Sequence, residues 1–220
     1  MLTCKPTLFQ SRPLSIVIMS ESYVIFTGRP NSGKSTTIRA LTGLKIAVGK
    51  QPGTTTKINK YEIAQGLYLV DMPGYGTKVD GTKKWEERTK DDILDFIEKN
   101  ADNIIAAVHV VNITTFIETE QRLANKGFIS IDVEMVQYLN ESLGEYPFVA
   151  ANKIDKGNDA DVMENLQAFI NSLTDDTPEL VADYVYPISA KKGIGVGELK
   201  NQLVLKMRKK GFSNPFEYLR

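Results

Sequence analysis

Eight residues near the start of the chain, Gly28-Arg29-Pro30-Asn31-Ser32-Gly33-Lys34-Ser35, fit the pattern G-x-x-x-x-G-K-[ST], whose loop cradles the phosphates of a nucleotide. An apolar run, Tyr23 to Thr27, leads into it, and helix-spaced residues from Ser35 to Leu41 lead out. At such a strand-to-helix turn the loop N–H groups and the helix dipole favour a bound anion. Lys34 can reach the β/γ oxygens, and the Ser35 hydroxyl can bind Mg²⁺. Thr36, next in line, is counted with the binding residues. By itself this motif says nucleoside triphosphate and no more.

Three further motifs follow in order, each at the end of an apolar run. In Asp71-Met72-Pro73-Gly74 the carboxylate can hold Mg²⁺ and the Gly74 N–H can bond a γ-phosphate. In Asn152-Lys153-Ile154-Asp155 the acceptor-only Asp155 carboxylate suits guanine N1–H and its 2-amino group. Adenine offers neither donor, and sites of this kind discriminate by roughly 10⁴ or more. Ser189-Ala190-Lys191 offers a backbone N–H to guanine O6. Any one of these is weak; the four in this order point to GTP. Between the first two lies Pro52-Gly53-Thr54-Thr55-Thr56-Lys57, where a Thr that closes on Mg²⁺ and the γ-phosphate belongs. Three adjacent threonines leave that choice open on chemistry alone.

The elements that must position these motifs read as an α/β sheet with crossover helices. Strands are expected over 23–27, 58–63, 67–71, 104–111, 146–151 and 184–188, the second and third forming a hairpin through Gly66. Helices are expected from Ser35 to a Gly43 cap, over 83–99, and around Val133 to Leu143, Val162 to Leu173 and Val196 to Met207. Residues 113–131 would be a long loop; Thr115 and Glu118 spell a capping box, and Gly127 stands where a short helix would stop.

Bulk properties exclude several classes. With 220 residues the chain suits one domain, and Lys+Arg and Asp+Glu both number 27, so no global field advertises nucleic acid or an anionic membrane. The single cysteine, Cys4, excludes an internal disulfide. No apolar run nears the about 18 residues that span a bilayer. Residues 1–20 read as a disordered leader or an early start codon, with a targeting role as the alternative. Residues 21–210 read as the nucleotide-binding domain and 211–220 as a tail.

Taken together, Gly28-Arg29-x-Asn31-x-Gly33-Lys34-Ser35, Pro52-Gly53-x-Thr55, Asp71-x-Pro73-Gly74-Tyr75-Gly76, Trp85 and Asn152-Lys153-x-Asp155 resemble the EngB (YihA/YsxC) group of Era/TrmE-branch, translation-factor-class GTPases. The resemblance spans about residues 22 to 208. It implies a Ras-like P-loop fold: a six-stranded, mostly parallel sheet with one antiparallel edge strand and helices on both faces. It makes Thr55 the preferred switch threonine, with Ser35, Thr55 and Asp71 around Mg²⁺ and Lys34, Thr55 and Gly74 serving hydrolysis. It further implies slow GTP hydrolysis in the cytoplasm, a role in large ribosomal subunit assembly and a link to cell division and septation. GTP/GDP and the large subunit or its precursor are the implied partners, with no membrane and no DNA. In such relatives an Asn at the position of Asn31 can coordinate K⁺; the alternative is an Asn that only shapes the loop. Pro30, Ser32 and a long 113–131 segment depart from the bacterial pattern and suggest an archaeal-type branch.

Where Ras-like enzymes place a water-orienting Gln, this chain has Tyr75, so intrinsic hydrolysis is expected to be weak. His109, inside an apolar run, reads as a satisfied core histidine, and Trp85 as a packing residue. Lys206, Arg208, Lys209 and Lys210 suit the end of a helix or an rRNA contact equally. Phe212, Phe216, Tyr218 and Leu219 are expected to tuck onto the body. A rival reading is a nucleotide-dependent protein-recruiting module in which hydrolysis is incidental. A tRNA-modification GTPase is disfavoured because no second catalytic domain is legible.

Overall fold

The computed structural model describes residues 21–44, 57–76, 83–127, 130–174 and 177–219. Six strands form one sheet in the order β2-β3-β1-β4-β5-β6: β1 (Ser22–Thr27), β2 (Asn59–Ala64), β3 (Leu67–Asp71), β4 (Ile104–Asn112), β5 (Phe148–Asn152) and β6 (Val185–Ile188). All neighbours pair in parallel except β2 with β3, which are antiparallel and joined through Gly66 at φ 72°. The expected Ras-like sheet is therefore present.

Strand alternation sorts the helices onto two faces. Val24 and Phe26 of β1 face α1 (Lys34–Thr42) and α7 (Val196–Lys209), whose Ile38, Leu41, Leu199 and Leu203 complete that layer. On the other face Tyr23 and Ile25 meet α2 (Lys83–Asn100) and α4 (Ile131–Leu143). Farther along that face, β5 packs on α5 (Asp159–Leu173) through Val162, Leu166 and Phe169. Covered on both sides, β4 is buried along Ile104–Val111, as its continuous apolar run requires. The sheet order places β1 between strands that lead off in opposite directions, so a ligand crevice belongs at the carboxyl ends of β1 and its neighbours.

Differences from the sequence reading are local. The short helix in 113–131 exists as α3 (Phe116–Ala124), and Gly127 has a left-handed φ of 72°. The Thr115–Glu118 capping box does not form: the Thr115 side chain makes no cap bond, and its hydroxyl instead accepts from Asn112 Nδ2 at 2.8 Å. A five-residue helix, α6 (Pro178–Ala182), was not legible because one turn carries no periodicity. Strand β5 starts at Phe148 rather than Tyr146. Phe212, Phe216 and Leu219 pack against the α7 face, whereas Tyr218 is 53% exposed and does not. The 1–20 leader, the Pro52–Thr56 segment and the Trp85 side chain lie outside the described residues. Among the described residues no helix is long and apolar enough to cross a membrane.

Candidate functional site

The phosphate loop leaves β1 at Thr27 and enters α1 at Lys34. Its turn needs left-handed backbone at Asn31 (φ 63°) and Gly33 (φ 105°). At Gly33 a side chain is impossible on two counts: the backbone is strained for L-residues, and a Cβ would lie 2.2 Å from Asn152 Nδ2. Asn31 is exposed on the loop, while Ser32 is buried.

Lys34 folds into the curve of the loop. Its Nζ donates to Gly28 O at 2.9 Å and to Arg29 O at 3.2 Å. Burial pushes its pKa down to about 8, against the attraction of Asp71 and Asp132. Ser35, in the first turn of α1, donates its hydroxyl to Asp71 Oδ2 at 2.8 Å. Asp71 ends β3 and is 1% exposed. A hydroxyl and a carboxylate oxygen thus converge beside a lysine, the hard oxygen donors that suit Mg²⁺. Beyond Asp71, Met72 is enclosed in the core, so only its backbone can serve a ligand, and Pro73 and Gly74 are buried. Tyr75 is 4% exposed, and its hydroxyl has no partner among the described residues. From that seat it cannot orient a water at the loop mouth.

Asn152 joins the phosphate end to the base end. Its Nδ2 donates to Ser32 O at 2.9 Å, and its Oδ1 accepts from Ala190 N at 3.0 Å. A neutral amide, donor and acceptor at once, is the side chain that can bridge a carbonyl and an N–H. Lys153 follows in the left-handed region at φ 74°, and burial lowers its pKa. Ile154 packs against the α5 layer. Asp155 accepts from Ser189 Oγ at 2.6 Å. That bond holds its carboxyl below the usual range, helped by Lys192 and Lys191. Asp155 is half-buried rather than buried, with Ser189 fully enclosed behind it and Lys191 exposed. Gly53, Thr54 and Thr55 lie outside the described residues.

These loops are legible as a group in the sequence, but the Asn152 bridge, which spans 120 residues, is not. Nor is the buried Asp132 beneath the loop; an Asp in a helix's first turn carries no special signal. His109 is the satisfied core histidine expected, with both ring nitrogens at 3.0 Å from partners.

The family model that matches this chain, described as a 50S ribosome-binding GTPase, spans residues 23–153. A probable GTP-binding protein EngB of Methanopyrus kandleri is 41% identical over 192 residues, 86% of this chain and 94% of its own. The chain belongs to the EngB family of P-loop GTPases. A second EngB relative, from Pyrococcus horikoshii, is 42% identical over 191 residues, covering 86% of this chain and 85% of its own. The crystal structure of a probable GTP-binding protein engB superposes with a TM-score of 0.74 at 40% identity, covering 86% of this chain and all of that one. EngB proteins are GTP hydrolases, and Mg²⁺-dependent GTP binding is a property of the family.

Lys34, placed in the phosphate loop, is expected to make nucleotide binding pH-dependent. Its folded pKa lies below the ordinary lysine value, so the nucleotide-free fold gains stability from this group as pH rises above about 8. Bound polyphosphate favours the charged form. GTP binding at about pH 9 should therefore take up a proton, and affinity should fall by up to roughly tenfold per pH unit above 8. Calorimetry in buffers of different ionisation enthalpy reads this directly; binding without proton uptake at that pH would contradict it.

Proposed function

We propose that this EngB protein is a GTP-operated switch in large ribosomal subunit assembly, with slow Mg²⁺-dependent hydrolysis and a cytoplasmic site of action. One observation carries the nucleotide half: four sequence-distant loops meet at the carboxyl ends of β1, β3, β5 and β6, cross-braced by Asn152. The ribosomal half rests on the family, whose description names the 50S ribosome, and with it goes the family's link to cell division and septation. Exposed Arg208, Lys209 and Lys210 at the end of α7 suit an rRNA contact, whereas Lys206 is engaged by Glu145 at 2.5 Å.

In this reading Gly28–Thr36 bind the phosphates, with Lys34 supplying charge at the β/γ oxygens. Ser35, Asp71 and Thr55 hold Mg²⁺, which when bound offsets the charge that develops on the phosphates. The Gly74 N–H meets the γ-phosphate beside Met72 and Pro73, and Gly53 and Thr54 belong to the loop that carries Thr55. At the base, Asp155 accepts from guanine, with Asn152, Lys153, Ile154, Ser189, Ala190 and Lys191 framing the ring.

Asn31 is assigned to a K⁺ beside the phosphates, a charge that would compensate for the missing Gln. Its exposure leaves the side chain free for an ion, while its left-handed backbone equally suits the alternative, an Asn that only shapes the loop. GTP turnover should then rise in K⁺ over Na⁺ buffer in wild type and lose that difference in Asn31→Ala; equal turnover in both salts removes K⁺ from the account. The second reading, a recruiting module with incidental hydrolysis, draws on the buried Tyr75. Co-sedimentation separates the two: association with large-subunit particles on a GTP analogue but not on GDP is expected. Association that ignores the nucleotide, or none, would sink the assembly role.

A further inference from the structure

Directly beneath the phosphate loop lies a buried polar chain that crosses three elements. Thr27 Oγ1, at the end of β1, is 3.0 Å from His109 Nδ1 on β4. His109 Nε2 is 3.0 Å from Asp132 Oδ1 in the first turn of α4. The other carboxylate oxygen of Asp132 stands 3.8 Å from Arg29 Nη1 in the phosphate loop. His109 is fully enclosed and Asp132 only 4% exposed.

The placement of Asp132 is paradoxical for a polyphosphate site. Its negative charge is felt by Lys34 and Tyr75 as well as by Arg29. Locally it serves His109 and the dipole of α4, but neither role needs its second oxygen to face Arg29. Helix α4 is already capped by Ser130, whose hydroxyl accepts from Val133 N at 3.3 Å. A buried ion pair is also seldom retained for stability, since apolar replacements do as well. That second oxygen faces Arg29, and the phosphate loop around Arg29 borders the path of Gly74-Tyr75-Gly76. The Gly74 backbone abuts Pro30 so closely that a Cβ would lie 2.8 Å from Pro30 N. A Cβ on Gly76 would lie 3.3 Å from Ile131 Cδ1, on the residue before Asp132, and 3.7 Å from Arg29 Nε. Tyr75, between them, is packed into the β3, α2 and α4 layer with Met135 and Leu139.

We propose that Asp132 is a positioning residue for GTP hydrolysis: clamped by His109, it fixes Arg29 and so sets the seat of Tyr75 and the register of Gly74 over the phosphate loop. The inference rests on the assignment of the Gly74 N–H to the γ-phosphate. GDP binding, which uses neither the γ-phosphate nor Gly74 and meets Arg29 only through the loop backbone, should be nearly indifferent to it. The isosteric Asp132→Asn keeps the volume and removes the charge that holds Arg29.

Single-turnover and steady-state GTP hydrolysis of the full chain, with binding of GDP and a GTP analogue, tests this. Asp132→Asn should lower kcat roughly tenfold, while KM and GDP affinity stay within about threefold, the pattern of an interaction that acts only in the transition state. Tyr75→Ala should show the same split, and the double variant should lose no more than Tyr75→Ala alone. If Asp132→Asn does not fold, His109→Gln, which releases the same carboxylate from its other side, is read in its place. An unchanged kcat, a fully multiplicative double variant, or affinity and kcat falling in step would overturn the proposal. Wild-type binding distinguishes the two levels: a wild type that cannot tell the GTP analogue from GDP fails the assignment of Gly74, whereas a discriminating wild type with an indifferent Asp132→Asn fails only the positioning role.

Discussion

Replacing Lys34 with alanine is expected to cut GTP turnover by on the order of 10²–10³, the usual cost of removing one preorganised charge donor from a reacting phosphate or acyl group. Its ammonium is held within the loop by two backbone carbonyls, so it is pre-positioned where phosphate oxygens would replace those partners. The fold should tolerate the loss. Burial already penalises the charged form of this lysine, and the freed carbonyls lie at the mouth of a ligand crevice, where water can reach them. The expected signature is a melting transition near that of wild type without nucleotide, combined with loss of the stabilisation that GTP gives wild type by mass action. Lys34→Ala protein that still hydrolyses GTP near the wild-type rate would remove the phosphate loop from the mechanism.

Asp155→Asn should exchange one base specificity for another. An aspartate carboxylate accepts from both guanine N1–H and the 2-amino group, whereas an asparagine amide offers one acceptor and one donor. Xanthine presents an N–H and a carbonyl at the same two positions and so matches the amide. GTP affinity should fall at least roughly a hundredfold and that for xanthosine triphosphate should rise, because a site built on paired hydrogen bonds leaves a mismatched polar group unpaired. Ser189 accentuates this. Its hydroxyl donates to Asp155 at 2.6 Å and lowers the carboxyl pKa, keeping the acceptor ionised across the physiological range. Competition binding with the two nucleotides reads the switch, and retained GTP preference in the variant would place the base contact elsewhere.

Much of this architecture could be read from the chain because each motif announces itself locally. Apolar runs of strand length end at Thr27, Asp71 and Asn152, and a strand's carboxyl end is where the next loop must carry the chemistry. Gly43, Gly66 and Gly127 mark real turns, all with left-handed backbone. What escaped was interaction between distant partners. Thr115 looks like a cap, yet its hydroxyl is claimed by Asn112, and no sequence rule says which neighbour wins. His109 and Asp132 are 23 residues apart on a strand and a helix, so only the fold shows that one faces the other. Asn152 belongs to a recognisable base motif, but its hold on the Ser32 carbonyl depends on β1 and β5 flanking β4 at matched height. Local periodicity is blind to all three.

The loops after β1, β3, β5 and β6 are expected to present one guanine-selective phosphate site. This selectivity is tested most directly by titrating the full chain with GTP and with ATP side by side in Mg²⁺. Asp155 and its Ser189 support predict GTP binding tighter than ATP by roughly 10² or more. Equal affinities would contradict it, since the carboxylate would then have no hand in choosing the base.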